Sequence, residues 1–245
     1  MSGTKIVKLK LEGDGTGQKL PDLRQNPMEK ALSAYELIEE QLDINGDFRH
    51  VSELLGDVDV KPSQLQQIIT KLEEKHALED RYPSKAGLIV NTLIRKSTST
   101  VFKFKNTQTL NLIGFELEGD KKVTMEGNAG PLSGAHMKDG ELHVKGNVGQ
   151  AAGHQLEGGM IIIDGNADRD IGWDMMGGVI HVKKNAQKCA GREMKAGLLI
   201  VDGNTGEHTG SGMTGGRIEV GGTIEAIGSD AKGEIYNKGE KVWPK

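Results

Sequence analysis

The sequence has few of the residues that cross-link or thicken a protein interior. Its one cysteine, Cys189, excludes a disulfide within the chain and is typical of a protein in a reducing compartment. Aromatic residues make up only 4% of the chain, whereas glycine occurs 35 times. We therefore expect a thin core built from layers of aliphatic side chains.

Long apolar runs and an excess of positive charge are also lacking. No stretch approaches the roughly 20 apolar residues that a membrane-spanning helix needs. The N-terminal sequence leads into alternating lysine and apolar residues, unlike the core of a signal peptide. The formal net charge of -4 provides no general attraction to nucleic acid or anionic lipid. These features predict a cytoplasmic protein with no membrane association.

Common catalytic and cofactor motifs are missing as well. The glycine-rich segment Gly13–Lys19 has neither Walker nor Rossmann spacing, and the chain contains no CxxC, HExxH or nucleophile-elbow motif. We therefore predict no catalytic, cofactor-binding or metal-binding residue on this chain.

What the chain does have is a repeat of nineteen residues. An asparagine opens each of five units, a glycine follows six residues later and a Met or Leu three after that, with no insertion or deletion. A constant unit length is typical of stacked structures, in which each unit forms one rung. The five asparagines are Asn128, Asn147, Asn166, Asn185 and Asn204.

Before each asparagine the sequence alternates between apolar and polar residues, as a strand with one buried face does. Two interior columns follow from the spacing, one through Leu142 and Ile161 and one through Val144 and Ile163, with Val123 and Met125 one unit earlier. We predict a right-handed parallel β-helix, the hand being taken from the general crossover preference. Its asparagine amides are expected to form a ladder of hydrogen bonds that satisfies buried groups.

The first half of the chain is rich in helix formers. Apolar spacing predicts a helix through Leu32, Tyr35, Ile38 and Leu42, a second over His50–Leu55, and a third that begins at Pro62. The apolar run Leu88–Ile94 is interpreted as extended. Three helices followed by strands predict a winged-helix-like domain. The fold class is thus a two-domain α+β protein, with an N-terminal strand and loop (1–26), a helical domain (27–95), the β-helix (96–222) and a C-terminal cap or tail (223–245).

The charge of the helical domain argues against DNA binding. Between Met28 and Pro83 there are 13 acidic residues and six Lys or Arg. Since basic residues facing phosphates supply most of the affinity for a duplex, nucleic acid is a disfavoured partner. A protein-docking role fits this segment better.

Stacking also brings distant residues into shared columns. Asp170, Cys189 and His208 occupy one column, about 5 Å apart per rung, which is close enough for a metal or a thiolate–imidazole pair. We favour a solvated surface column there. In the outward strand column, Ile162 and Ile200 flank His181, and apolar side chains on an outward face predict an interface that a partner covers.

The repeat resembles a known family. The run Gly127-Asn128-Ala129-Gly130, with Gly134, Met137 and Gly140, is similar to the glycine-rich (GXGXG) repeats found in one subunit of formylmethanofuran dehydrogenase and in the C-terminal domain of the glutamate synthase large subunit. The likeness covers about 40% of the chain, over residues 121–222. It implies a β-helix that holds catalytic modules in place and contributes no catalytic side chain.

Four functions are compatible with the sequence, and the least favoured of them is an unrelated enzyme that uses Asp170, Cys189 and His208. The first is a scaffold subunit of an enzyme complex of one-carbon metabolism or methanogenesis, similar to formylmethanofuran dehydrogenase or the formyltransferase/hydrolase complex. Its catalytic subunits would carry any molybdopterin, metal or flavin. The second is a stand-alone glutamate synthase domain. The third is a winged-helix regulator that a β-helix oligomerises.

Overall fold

The protein consists of four helices followed by a stack of strands. The computed structural model describes residues 26–38 and 44–244, with side chains from Phe48 onward in the second stretch. The predicted N-terminal strand and the loop Gly13–Lys19 lie outside the described residues, as does Leu42. The helices are α1 (Pro27–Leu37), α2 (Ile44–Leu55), α3 (Pro62–His76) and α4 (Tyr82–Lys96). The strands are β1 (Val101–Lys105), β2 (Lys122–Glu126), β3 (Glu141–Val144), β4 (Met160–Ile163), β5 (Val179–Val182), β6 (Leu198–Val201), β7 (Arg217–Val220), β8 (Glu234–Asn237) and β9 (Glu240–Trp243).

The strands form one sheet in chain order, as the rungs of a solenoid do. Pairs from β1–β2 to β7–β8 are parallel, and β9 returns antiparallel to β8. Each strand from β2 to β6 pairs in register with the residue nineteen positions further on, for example Leu142 with Ile161. A second line of bridges runs from Leu110 through Ala129 and Val148 to Ile224, one residue per turn. The prediction of a β-solenoid is confirmed, with about seven turns.

The core of the solenoid is the set of columns that the repeat predicts. Leu142, Ile161 and Ile180 are 0% exposed, as are Val144 and Ile163. The five Met and Leu residues that follow the repeat glycines are also fully buried: Met137, Leu156, Met175, Met194 and Met213. Each rung therefore buries identical positions, and this identity explains why the unit length does not vary.

The turn after each second-line bridge has a left-handed backbone at the repeat glycine, with φ of +67° to +71° in all five units. At Gly153 a Cβ would also lie 2.4 Å from the Cδ1 atom of Ile180, whereas at Gly172 the nearest atom is 3.4 Å away. The shared backbone conformation, with a close approach at some rungs, favours glycine at this position. The recurrence of glycine six residues after each asparagine therefore reports packing, not a ligand.

The helical region confirms the three predicted helices and adds a fourth. Asn26 caps α1 through a bond from the Met28 amide to its side chain, and Pro62 stands at the start of α3 as expected. The interpretation of Leu88–Ile94 as extended is wrong, because this run lies inside α4 and is buried along its whole length. An apolar run buried on all sides has no helical stripe, so periodicity could not identify it. The next strand, β1, pairs with β2 of the solenoid.

Helices α3 and α4 cover the open end of the stack. Gly87 lets α4 approach closely, since a Cβ at this position would collide with the Asn111 backbone. The buried side chain of Asn91 accepts from the Gly114 amide and donates to the Phe115 carbonyl, at 2.9 Å each. On α3, the side chain of Gln66 bonds both backbone groups of Lys105 at 2.7 and 3.0 Å. Helix side chains thus replace the missing preceding rung.

The opposite end is closed by the C-terminal segment. The interval between paired residues of β7 and β8 shrinks to seventeen, as Arg217 pairs with Glu234. Strand β9 then pairs with the outer edge of β8. The Asn237 side chain donates to the carbonyls of Val220 and Gly222. Beyond the last repeat, the segment predicted as a cap or tail thus contains two strands of the sheet.

Candidate functional site

The outward face of the sheet carries an apolar cluster in the middle of the stack. Ile162 and Ile200 point outward in their strands and are half-buried, with His181 between them on β5. The neighbouring outward column adds three apolar residues on the same strands, namely Met160, Val179 and Leu198, which are in register. We call these five apolar residues, together with His181, the central patch. Met160 is 40% exposed, so the patch is open to solvent in the isolated chain.

Charged residues replace apolar ones on both sides of the central patch. In the same column as Met160, β2 and β3 carry Lys122 and Glu141, whereas β7 and β8 carry Arg217 and Glu234. An apolar centre with a charged rim is the usual composition of a protein-binding surface. The sequence predicted three of the six patch residues, Ile162, His181 and Ile200. The same nineteen-residue spacing could have found Met160, Val179 and Leu198.

Two histidine–aspartate pairs border the patch. The imidazole Nε2 of His181 lies 2.9 Å from Asp202 Oδ1, and His143 Nε2 lies 2.9 Å from Asp164 Oδ1. Lys183 also contacts Asp164, at 2.7 Å. Its ammonium group, with a smaller contribution from His143, holds the pKa of Asp164 below the usual range in spite of partial burial. Each imidazole is therefore held in place by an aspartate of the next rung.

The asparagine ladder exists, but in a different form from the predicted one. Each asparagine Oδ1 accepts the backbone N–H of the residue nineteen positions further on, for example Asn185 N to Asn166 Oδ1 at 3.1 Å. For Asn204 this donor is Thr223, at 2.7 Å. The amide-to-amide contacts are longer, at 3.3 to 3.4 Å. The expectation of buried amides is wrong, because none of the five asparagines is buried. The ladder therefore fixes the bend between rungs at the surface.

The column of Asp170, Cys189 and His208 lies in a turn. The expectation that the whole column is solvated is wrong for Asp170. All three residues adopt a left-handed backbone, with φ values of 61° to 62°. Asp170 is only 7% exposed, with Arg169 and Arg192 each 3.9 Å from its carboxylate, whereas His208 is exposed. Among the described side chains, those of residues 26–38 and 48–244, no three metal-ligating groups come together to hold an ion.

A line of aromatic rings in mutual contact along one corner of the solenoid was not predicted from the sequence. It begins with Phe48 on α2 stacked on Phe115 at 4.8 Å between ring centroids, and continues through His136 and His154 to Trp173. The Arg192 guanidinium lies over the Trp173 ring, 5.1 Å from its centroid. His154 and Arg192 both pack against the indole of Trp173. These contacts link successive rungs at the corner, and they leave no free face of the indole for a ligand. The recurrence of His154, Trp173 and Arg192 at nineteen residues was visible in the sequence.

An open groove lies where α2 and α4 meet the first turn. Its volume is about 650 Å³, and Arg95, Lys96, Glu116 and Glu118 are among the residues that line it. Arg95 is paired with Glu116 at 2.9 Å, and Lys96 donates to the Ser52 hydroxyl at 3.0 Å. Acidic and basic side chains balance there, so the groove shows no preference for a charged ligand.

The described part of the chain contains no helix long and apolar enough to cross a membrane. Comparison of the sequence with models of protein families, and separately with curated proteins, finds no match in either case.

Proposed function

We propose that this protein is a non-catalytic scaffold subunit of a multi-subunit enzyme complex, and that its exposed sheet face is a protein interface. The observation that carries the proposal is the central patch. Five apolar side chains lie side by side on an outward face, and the flanking strands β2, β3 and β7 carry charged or polar side chains there. Such clusters are stabilised when another protein removes them from water.

The repeat resemblance supports the kind of complex. In formylmethanofuran dehydrogenase, and in the glutamate synthase domain, similar repeats hold catalytic modules in place. By that analogy, catalytic subunits carry the chemistry, with any molybdopterin, metal or flavin, and this chain sets their spacing. The rigid, regular stack suits such a role, since its rungs share one backbone geometry.

The test is purification of the native protein from its own cells under mild conditions, followed by mass measurement and identification of the bound chains. We expect enzyme subunits in stoichiometric amounts. The double substitution Ile162→Asp and Ile200→Asp should give a smaller particle, because buried carboxylates without partners are costly.

A matched control lies on β1, in the outward column of Met160. Val101→Asp adds a carboxylate at an exposed apolar side chain outside the central patch. This variant should purify with the full particle. Recovery of wild-type protein with no enzyme subunit, or with promoter DNA alone, would contradict the scaffold proposal.

A further inference from the structure

We propose that the occupant of the exposed sheet face is a second copy of this chain, packed sheet to sheet about a twofold axis that runs along β5. The inference rests on the proposed function only in taking the sheet face as an interface, and it names the partner there.

The apolar residues fit this symmetry. A twofold axis along the strand direction reverses the order of the rungs and keeps the direction of the strands, so β4 faces β6 of the second copy and β5 faces itself. Sheets that pack face to face keep their strands within about 30° of each other, which this axis satisfies. Met160 then lies opposite Leu198, and Ile162 opposite Ile200, with β5 at the centre.

The charges on both sides of the patch are complementary under the same operation. Strand β3 faces β7, which brings Glu141 opposite Arg217. Strand β2 faces β8, which brings Lys122 opposite Glu234. In the next outward column, His143 lies opposite Glu219. No apolar residue of the patch faces a charge, and each of these acidic residues faces a basic one or a histidine.

A twofold axis along the stack is the alternative arrangement. Centred on the column of Ile162, it places Met160 and its column against Asp164, Lys183 and Asp202. Centred between the two apolar columns, it keeps the patch apolar but brings Arg217 opposite Glu219 of the second copy. Glu141 meets Arg217 only with the axis along β5, so an exchange of these two charges separates the arrangements.

Like charges meet at three places at the edge of the proposed interface, twice between Asp164 and Asp202 by symmetry and once between the two copies of Lys183. Asp164 lies opposite Asp202 of the second copy, but each carboxylate already has a cationic or histidine partner in its own chain. Lys183 and His143 bind Asp164, and His181 binds Asp202. Two copies of Lys183 also meet near the axis, between these carboxylates, and offset their charge.

Size and solvation are compatible with a reversible dimer. From β2 to β8 the face extends about 29 Å, at about 4.8 Å per strand. With about five residues per strand at about 3.3 Å each, the face covers roughly 460 Å² on each chain, which is below the usual size of a stable interface and is typical of a weak, reversible contact. The side chains of Glu141 and Arg217 are 35% and 45% exposed. Both side chains thus keep much of their contact with water in the single chain. A modest ion pair between them across the interface suffices to fix which strands face each other.

The experiment is sedimentation equilibrium of the purified full-length chain at low salt. We expect a mass approaching twice 26.4 kDa as concentration rises. Glu141→Arg places two arginines opposite each other, and Arg217→Glu places two glutamates. Either substitution alone should weaken the dimer at least about tenfold. The combined exchange E141R/R217E restores opposite charges and should return the dissociation constant to within about threefold of wild type.

Two exposed methionines supply a second, matched comparison. Met160 and Met176 are 40% and 39% exposed, but only Met160 lies on the sheet face. Met160→Asp should abolish the dimer, and Met176→Asp should leave it unchanged. Circular dichroism of both variants checks that each one folds.

Two results would overturn the inference. One is a wild-type chain that stays monomeric up to about 0.1 mM, a weak limit for a specific contact. The other is a dimer that the combined exchange fails to restore. Neither result decides the scaffold proposal, since a monomer can still bind enzyme subunits in cells. Conversely, a dimer recovered from cells without enzyme subunits would contradict the scaffold role alone.

Discussion

At the scale of single residues, the asparagines stabilise the solenoid by accepting backbone N–H groups at the surface. We predict that Asn166→Ala lowers the free energy of unfolding by about 0.5–1.5 kcal/mol, because the Asn185 amide loses its acceptor but remains accessible to water. Asn166→Asp keeps an acceptor oxygen and should retain more than half of that stability. Urea unfolding of both variants measures the difference. Equal losses would mean that the long amide contacts matter more than the backbone bond.

His154 makes the line of aromatic rings sensitive to pH. Burial, with a smaller contribution from His136, lowers its pKa below the ordinary value of 6.5, whereas Asp174 and Glu193 act in the opposite direction. The unfolded imidazole therefore binds its proton at higher pH than the folded one does. The contribution of neutral His154 to the free energy of unfolding is fully present above about pH 6.5. It is lost as the pH falls through the pKa of His154 in the folded state.

We predict that His154→Phe, which keeps a ring between His136 and Trp173, flattens the dependence of Tm on pH between about 5 and 7. Thermal melts of the variant and the wild type at several pH values measure this effect. A variant whose curve keeps the wild-type slope would show that another group controls the pH dependence.

At the scale of elements, the structure depends on how α4 closes the stack. Asn91 bonds a donor and an acceptor of the first turn that no preceding rung can reach. We predict that Asn91→Leu lowers the free energy of unfolding by about 2–4 kcal/mol, since two buried backbone groups lose their partners. Chemical denaturation provides the measurement.

The adjacent residue offers a control for this prediction. Thr92 is also buried, but its hydroxyl bonds only the Leu88 carbonyl of its own helix. Thr92→Val should therefore cost less than about 1 kcal/mol. A loss as large as that of Asn91→Leu would show that packing of α4, and not the bonds to the first turn, is what matters.

The sequence predicted the features that the nineteen-residue repeat defines. It did not predict the features that depend on contacts with residues outside the repeat. The core columns follow from the spacing because each rung meets the same environment. Leu88–Ile94 could not be identified, since a helix enclosed by the solenoid and other helices loses its polar face. The patch was predicted only in part, although Met160, Val179 and Leu198 recur at the same spacing as the predicted residues and form the neighbouring outward column. The burial of Asp170 depends on arginines that the spacing alone does not orient.

At the scale of the whole molecule, constant rung length predicts how the protein responds to deletions. Removal of Met160–Gly178 joins equivalent positions of successive rungs, so a folded, shorter stack should result. Removal of Asp168–Asp170 alone shifts one turn relative to all later core columns. Thermal melts by circular dichroism should show a cooperative transition for the first variant and a large loss of stability for the second. Equal tolerance of both deletions would contradict the solenoid register.

The closure of the stack by α3 and α4 gives the molecule an order of assembly. These helices precede the first rung in the chain and provide its backbone partners through Asn91 and Gln66. Each later rung forms its backbone hydrogen bonds with the rung that precedes it in the chain. The protein can therefore become ordered from the N-terminal side while it is still on the ribosome. We expect chains halted after a complete rung to protect the helices and the finished rungs from proteolysis, whereas chains without the helices lack the partners that Asn91 and Gln66 provide to the first turn.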